Sequence, residues 1–222
     1  MKTVGVLALQ GAFIEHITHL QRADPLIKCI EVRTPEELDT CDALVIPGGE
    51  STLISLIAER TGLLEPLKTY IRSENPVWGT CAGLIFLAKR VTNGRPGQKL
   101  LGGMDITVQR NAFGRQLDSF EQELDFSSFI NNLHAFPAVF IRAPVVQTVL
   151  SNSESVASGQ AIIMSDNNYT NPANVEILHQ LENGFIVAVR QGTKLGTSFH
   201  PELAEDSLFH KWFLDEFVKP HA

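Results

Sequence analysis

The sequence predicts an α/β fold of three layers, a mainly parallel sheet flanked by helices and extended by antiparallel additions. Three observations lead there. Short β-branched runs alternate with helical periods through the first third of the chain, two glycine-rich turns join an apolar run to a helix, and the later part turns to strand-like pieces without intervening helices.

In order, the pattern predicts strands over Val4–Leu9, Ile27–Arg33, Ala43–Ile46 and Val77–Gly79, interleaved with helices over Ala12–Arg22, Thr52–Arg60 and Leu84–Arg90. From Met104 onward, strands are expected over Asp105–Gln109, Glu121–Phe126 and Ala138–Arg142. A hairpin follows over Val175–Leu181 and Phe185–Arg190, around the turn-forming Asn183-Gly184. Residues 151–174, rich in Ser, Asn and Gly with an apolar island at Ala161–Met164, read as a surface insertion. Asp206–Val218 carries Leu208, Phe209, Trp212, Phe213, Leu214 and Phe217 at helical spacing, so a helix packing back onto the sheet is expected. The whole of 1–222 reads as one domain.

Composition narrows the functional classes. With 222 residues and 44% hydrophobic content the chain can bury a sizeable core. Its apolar runs are broken by charge or Gly within about a dozen residues, short of the roughly 20 needed to cross a bilayer. The N-terminal apolar stretch has no small-residue cleavage site and runs into the first strand, which points to an intracellular, cytoplasmic protein. Cys29, Cys41 and Cys81 form no C-x-x-C pair, arguing against a disulfide framework and a thiolate metal site. A net charge of -7 offers no footprint for nucleic acid or an anionic membrane.

Parallel sheets place sites where strands end and helices begin. At one such turn, Gly79-Thr80-Cys81-Ala82-Gly83 is a cysteine version of the nucleophile elbow, its small flanks allowing a sharp strand-to-helix turn. A helix N-terminus there favours a thiolate and offers N–H groups to an oxyanion. Taken alone, a Gly-flanked Cys between an apolar strand and helix is more often a buried small residue than a nucleophile. In Ser198-Phe199-His200-Pro201-Glu202-Leu203 the proline fixes the backbone so that Glu202 reaches one imidazole nitrogen while the other faces a thiol. The bland alternative is a polar turn ending a strand. Pro47-Gly48-Gly49-Glu50-Ser51 can present N–H groups to an anion, or be a tight turn with Ser51 as helix N-cap; no G-K-[ST] follows, so it is no phosphate loop. His16 and His19 lie three apart on the first helix with no third ligand in sight, so no metal is expected. Cys29 and Cys41 read as small core residues and His210 as part of the terminal helix. His134, His179 and His221 carry no readable role.

Together, in this order and spacing, the three motifs resemble class I (triad) glutamine amidotransferase domains, which have a flavodoxin-like α/β fold. Further stretches narrow the resemblance: Gly5-Val6-Leu7-Ala8-Leu9-Gln10-Gly11-Ala12-Phe13 with Glu15-His16, Arg110-Asn111-Ala112-Phe113-Gly114-Arg115-Gln116 with Ser119-Phe120, and Phe140-Ile141-Arg142-Ala143-Pro144. This set is similar to the glutaminase subunit of pyridoxal 5′-phosphate synthase, the Pdx2/PdxT/SNO family. It spans nearly the whole chain except 151–174, a stretch longer than expected of bacterial members.

The resemblance implies hydrolysis of L-glutamine to glutamate and ammonia without a cofactor. The ammonia would pass to a synthase subunit of Pdx1/PdxS/SNZ type within a hetero-oligomer, for pyridoxal 5′-phosphate (vitamin B6) biosynthesis. By position, Cys81, His200 and Glu202 match the catalytic triad, and Gly49, Glu50, Ser51, Arg110, Ile141 and Arg142 match glutamine-contacting residues. Gly49 and Ala82 would supply oxyanion N–H groups, and Gln10 matches a residue near the oxyanion site at the subunit contact. Arginine suits the substrate α-carboxylate because its planar fork makes paired hydrogen bonds. Competing readings are a stand-alone cysteine hydrolase or peptidase, an amidotransferase subunit serving another synthase, and a binding module that keeps the fold without the chemistry.

Overall fold

A computed structural model describes residues 1–114, 118–150 and 161–219. One half of its main sheet is parallel: β1 (Thr3–Leu7) lies between β2 (Lys28–Val32) and β3 (Ala43–Ile46), and β3 continues to β4 (Val77–Thr80) and β13 (Lys194–Thr197). Beyond β13 the sheet runs through β12 (Ile186–Gln191), β9 (Val145–Val149), β6 (Met104–Gln109), β5 (Ala88–Thr92) and β10 (Ile162–Met164). All pairings in that half are antiparallel except β5 with β6. The expected hairpin is present as β11 (Val175–Gln180) against β12, turning at Gly184 with φ 88°. A separate two-stranded sheet joins β7 (Ser119–Leu124) to β8 (Phe136–Ile141), so the two expected strands there pair with each other rather than extending the main sheet.

Strand periodicity explains the layers. Successive side chains of a buried parallel strand point to opposite faces, so both must be apolar. Leu44 and Ile46 of β3 pack with Ile54, Leu67 and Phe86 from α3 (Ser51–Arg60), α4 (Leu64–Arg72) and α5 (Ala82–Leu87). Ala43 and Val45 face the other way, with Trp78, toward Leu20 of α1 (Phe13–Ala23) and Phe209 and Phe213 of α6 (Leu208–Phe213). The β7–β8 ribbon lies over the same face through Phe136 and Phe140. Each such side chain contributes about 1.5–3 kcal/mol by leaving water. Among the described residues no helix is long and apolar enough to cross a membrane.

Several expectations change. The helix expected over Leu84–Arg90 ends at Leu87, and Ala88–Thr92 is a strand. Its last carbonyls are met from elsewhere, Leu101 N–H donating to Phe86 O at 2.7 Å and Gly103 N–H to Leu87 O at 2.9 Å, which lets the chain leave directly into β5. Glu50, not Ser51, caps α3, accepting from Thr52 N–H at 3.1 Å and Leu53 N–H at 2.9 Å. A short helix α2 (Pro35–Asp39), held by a Thr34–Glu37 capping box, and α4 join the expected set. The C-terminal helix is α6 closed by a π turn at Leu214–Val218. Of the stretch expected as a surface insertion, 151–160 lie outside the described residues, as do Arg115 and Gln116 of the arginine-containing stretch. The remainder is tied in: Ile162–Met164 pairs with β5, and the buried Asn167 and Asn171 side chains donate to Leu101 O at 2.7 Å and Gly103 O at 3.4 Å.

Candidate active site

The strand-to-helix turn after β4 brings Cys81 to the sheet's carboxyl edge with φ 48° and ψ -101°, a conformation L-residues rarely adopt. Its small flanks are sterically required. A Cβ on Gly79 would sit 2.5 Å from the Gly83 backbone, and one on Gly83 would sit 2.0 Å from Ile46 O. The elbow is pinned by the Cys81 N–H donating to Thr197 O at 2.8 Å, while Sγ lies 3.9 Å from Ile141 O. Cys81 opens α5, so the first N–H groups of that helix have no intrahelical acceptor and face the same edge.

His200 follows β13, its N–H donating to Val139 O at 2.8 Å, and the turn Pro201–Leu203 folds Glu202 back beneath it. His200 Nδ1 and Glu202 Oε1 are 2.7 Å apart, so Nδ1 carries a proton toward the carboxylate and Nε2 is the nitrogen left for Cys81. Burial opposes a charge on this imidazole, but the hydrogen bonds and charges of Cys81 and Glu202 outweigh it and raise its pKa to about 10. For Glu202 burial works toward protonation, yet His16 and His200 hold its carboxyl below the usual range. The pair is therefore set up as imidazolium and carboxylate.

The Pro47–Glu50 turn closes one side. Gly48 packs so tightly on His200 that a Cβ there would meet the ring at 2.4 Å. Gly48 O accepts from Ala12 N–H at 3.1 Å, which places the Gly49 N–H on the opposite side of that trans peptide. Gln10 Oε1 accepts the Glu50 N–H at 2.7 Å; it braces the turn with its carbonyl rather than lending that atom to an oxyanion, because a carbonyl is only an acceptor. Glu50 caps α3 with both oxygens and meets Arg110 Nη2 at 3.3 Å. Burial pushes its carboxyl up, but the α3 N–H groups and Arg110 hold it below the usual range. Ser51, buried, accepts from Gln98 Nε2 at 3.0 Å, so it supports the turn from behind.

All the expected site residues line one cleft of about 490 Å³: Gln10, Gly49, Glu50, Ser51, Cys81, Ala82, Arg110, Ile141, Arg142, His200 and Glu202. Arg142 has φ 42° and donates its N–H to Asp118 O, a strained backbone at the end of β8. Seven further residues line it, and of these Arg95 alone lies outside every stretch that the sequence singled out. Arg95 sits in a Gly94-Arg95-Pro96-Gly97 loop whose sequence signals only a turn. With Arg110 and Arg142 it makes three guanidiniums around a cleft that can take a carboxylate at one end and a carbonyl carbon beside Cys81 at the other. No group of three or more His, Cys, Asp or Glu among the described residues is arranged to hold a metal ion.

The class that this fold and cleft define is the glutamine amidotransferases. A solved structure described as a glutamine amidotransferase is 40% identical, superposes with a TM-score of 0.76, and is matched over 98% of this chain and 99% of its own. Matching the family over residues 6–219, the chain belongs to the SNO glutamine amidotransferase family. It is 46% identical to the pyridoxal 5′-phosphate synthase subunit SNO1 of Saccharomyces cerevisiae, over 98% of this chain and 94% of the yeast protein. It is 48% identical to the pyridoxal 5′-phosphate synthase subunit PdxT of Herpetosiphon aurantiacus, over 96% and 98%.

Proposed function

We propose that this chain hydrolyses L-glutamine to L-glutamate and ammonia and delivers the ammonia to a synthase subunit that makes pyridoxal 5′-phosphate. The observation that carries the chemistry is the line Cys81–His200–Glu202 at the edge of the arginine-lined cleft. Membership of the family, and relatives named as pyridoxal 5′-phosphate synthase subunits over nearly their full length, support the destination of the ammonia.

In this reading the Cys81 thiolate adds to the side-chain amide carbon, and the oxyanion is held by N–H groups of Ala82 and Gly49. His200 gives its proton to the amide nitrogen; ammonia leaves and a γ-glutamyl thioester remains. A water then attacks the thioester, His200 taking its proton, and glutamate departs as the thiolate is restored. Glu202 keeps the imidazole in the tautomer that serves both steps. Arg110 and Arg142 fit the substrate α-carboxylate.

The test is ammonia release from glutamine by the purified chain, alone and with the partner synthase, beside Cys81→Ala. Ammonia that requires Cys81 supports the assignment, and undiminished release by Cys81→Ala ends it. A stand-alone peptidase would instead act without a partner and on substrates lacking a free α-carboxylate.

A further inference from the structure

Behind Glu202 lies a chain of buried imidazoles for which the reaction as written has no role. His16 of α1 is fully buried; its Nε2 lies 3.3 Å from Glu202 Oε2 and 3.3 Å from Thr80 Oγ1, and its Nδ1 lies 2.9 Å from His210 Nε2. His210 of α6 is fully buried too, and its Nδ1 has no partner among the described residues. His19 stacks on it with centroids 4.8 Å apart, and Trp78 sets its ring edgewise to both His16 and His210. Glu202 Oε2 has no hydrogen-bond partner among the described residues: the His16 Nε2 hydrogen bond goes to Thr80 Oγ1, and Oε2 lies 3.3 Å from the same nitrogen.

One proton lies between His16 and His210, and its position follows from what surrounds it. If His16 Nδ1 carried it, His16 Nε2 would turn a lone pair toward a carboxylate oxygen and His210 would bury an N–H with no acceptor, at a cost of ~1–3 kcal/mol. If His210 Nε2 carries it, His16 Nε2–H meets Thr80 Oγ1 and faces Glu202, and no buried N–H is left without an acceptor. A second proton on either ring is disfavoured: burial lowers His16 despite the nearby Glu202 and lowers His210 further.

Resting on the Cys81–His200–Glu202 reading above, we infer that His16 is a positioning residue for the hydrolysis. Locked as the Nε2–H tautomer by His210, it holds its N–H beside Thr80 Oγ1 and 3.3 Å from the second oxygen of Glu202, and that dipole keeps the carboxylate turned toward His200. His210 then donates to His16, whose own N–H lies between Thr80 Oγ1 and Glu202 Oε2, while the other oxygen of Glu202 accepts from His200. The N–H dipole faces the one oxygen of Glu202 that has no hydrogen-bond partner and opposes a rotation that would release His200 Nδ1.

Histidine 15N NMR of the full chain at neutral pH reads the tautomers directly: His16 and His210 protonated at Nε2 and bare at Nδ1 is the expected result, and the reverse pattern at either ring overturns the inference. In the glutaminase assay with the synthase partner, His16→Leu is expected to lose roughly 10–100-fold in kcat with KM within about twofold, as for other residues that orient a reacting group through an intermediary. His16→Gln, whose amide N–H can reach the same oxygen, is expected to recover most of that loss. Equal losses in both variants, or full kcat in His16→Leu, would overturn it. If His16→Leu fails to fold, the tautomer measurement decides alone. Labelling of Cys81 by a glutamine-like electrophile separates the two levels: no labelling removes the triad reading itself, whereas labelling with kcat unchanged in His16→Leu removes only the role of His16.

Discussion

Gln10 and Glu50, forty residues apart in sequence, are joined by a hydrogen bond of 2.7 Å in which the Glu50 N–H donates to the Gln10 side-chain carbonyl. The bond ties the end of β1 to the glycine turn beside Cys81. A partner that docked on this edge and moved Gln10 would move the turn, and in the proposed mechanism the orientation of the Gly48–Gly49 peptide would decide whether an N–H or a C=O meets the oxyanion. The isolated chain is accordingly expected to be a poor glutaminase that its synthase partner switches on. Gln10→Ala should weaken that activation while costing about 0.5–1.5 kcal/mol of stability, the worth of one hydrogen bond. Titrating partner into the ammonia assay, with thermal melts in parallel, checks both; full activity without partner removes the switch.

Cys81→Ala should abolish ammonia release and leave the fold intact. Cys81→Gly, equally inactive, should be at least as stable as Cys81→Ala. Relief at φ 48°, ψ -101° is worth about 1–3 kcal/mol, against ~0.5–1 kcal/mol for the looser unfolded chain. Urea unfolding of the two variants decides; a Gly variant clearly weaker than Ala would show the elbow to be unstrained.

His200→Asn should lose several powers of ten in rate, at least the ~10²–10⁴-fold of a general acid–base group. Glu202→Gln should lose less, because the imidazole remains. Yet the amide oxygen of that variant would be drawn to His16 Nε2–H, turning its NH₂ toward His200 Nδ1 and favouring the wrong tautomer. Triad members act as a unit, so the double variant should be little worse than His200→Asn alone. Single-turnover rates test this; strict multiplication of the two losses would separate Glu202 from His200.

Stability should fall as pH drops below 6.5, before carboxylates titrate. In the folded chain burial lowers His16, His19 and His210 from 6.5, whereas unfolded imidazoles take up protons from 6.5 downward. The unfolded state then binds more protons, and each group withdraws stability at up to about 1.4 kcal/mol per pH unit. His210→Phe should flatten the dependence. Urea midpoints between pH 7 and 5 measure it, and a flat profile in the unsubstituted chain would contradict the neutral, buried cluster.

Much of the fold was legible because its signals are local. Alternating runs such as Ala43–Ile46 meet apolar layers on both faces, and Asn183-Gly184 marks a hairpin by its own backbone preferences. The exchange of helix for strand at Ala88 was not legible, since the apolar run Leu84–Ala88 spans the junction, Lys89-Arg90 suit a helix end, and the carbonyls that end α5 are satisfied by Leu101 and Gly103. The capping of α3 by Glu50 was hidden by Ser51, the better N-cap by residue type, whose hydroxyl is instead engaged with Gln98.

The sequence by itself determined which groups can react and the turns that carry them. The small residues around Cys81 permit an elbow, and His200-Pro201-Glu202 places an acid within reach of its own imidazole, because both depend on neighbours a few residues away. Only the tertiary structure decided what holds these groups in place: the Gln10 brace on Glu50, Arg95 at the cleft, and His16 between Glu202 and His210. The last two histidines are 194 residues apart, on α1 and α6, and no periodicity relates them. Their contact exists because both helices pack on the same face of the sheet over Trp78, so strand order and layer packing, rather than any local pattern, set the surroundings of Glu202.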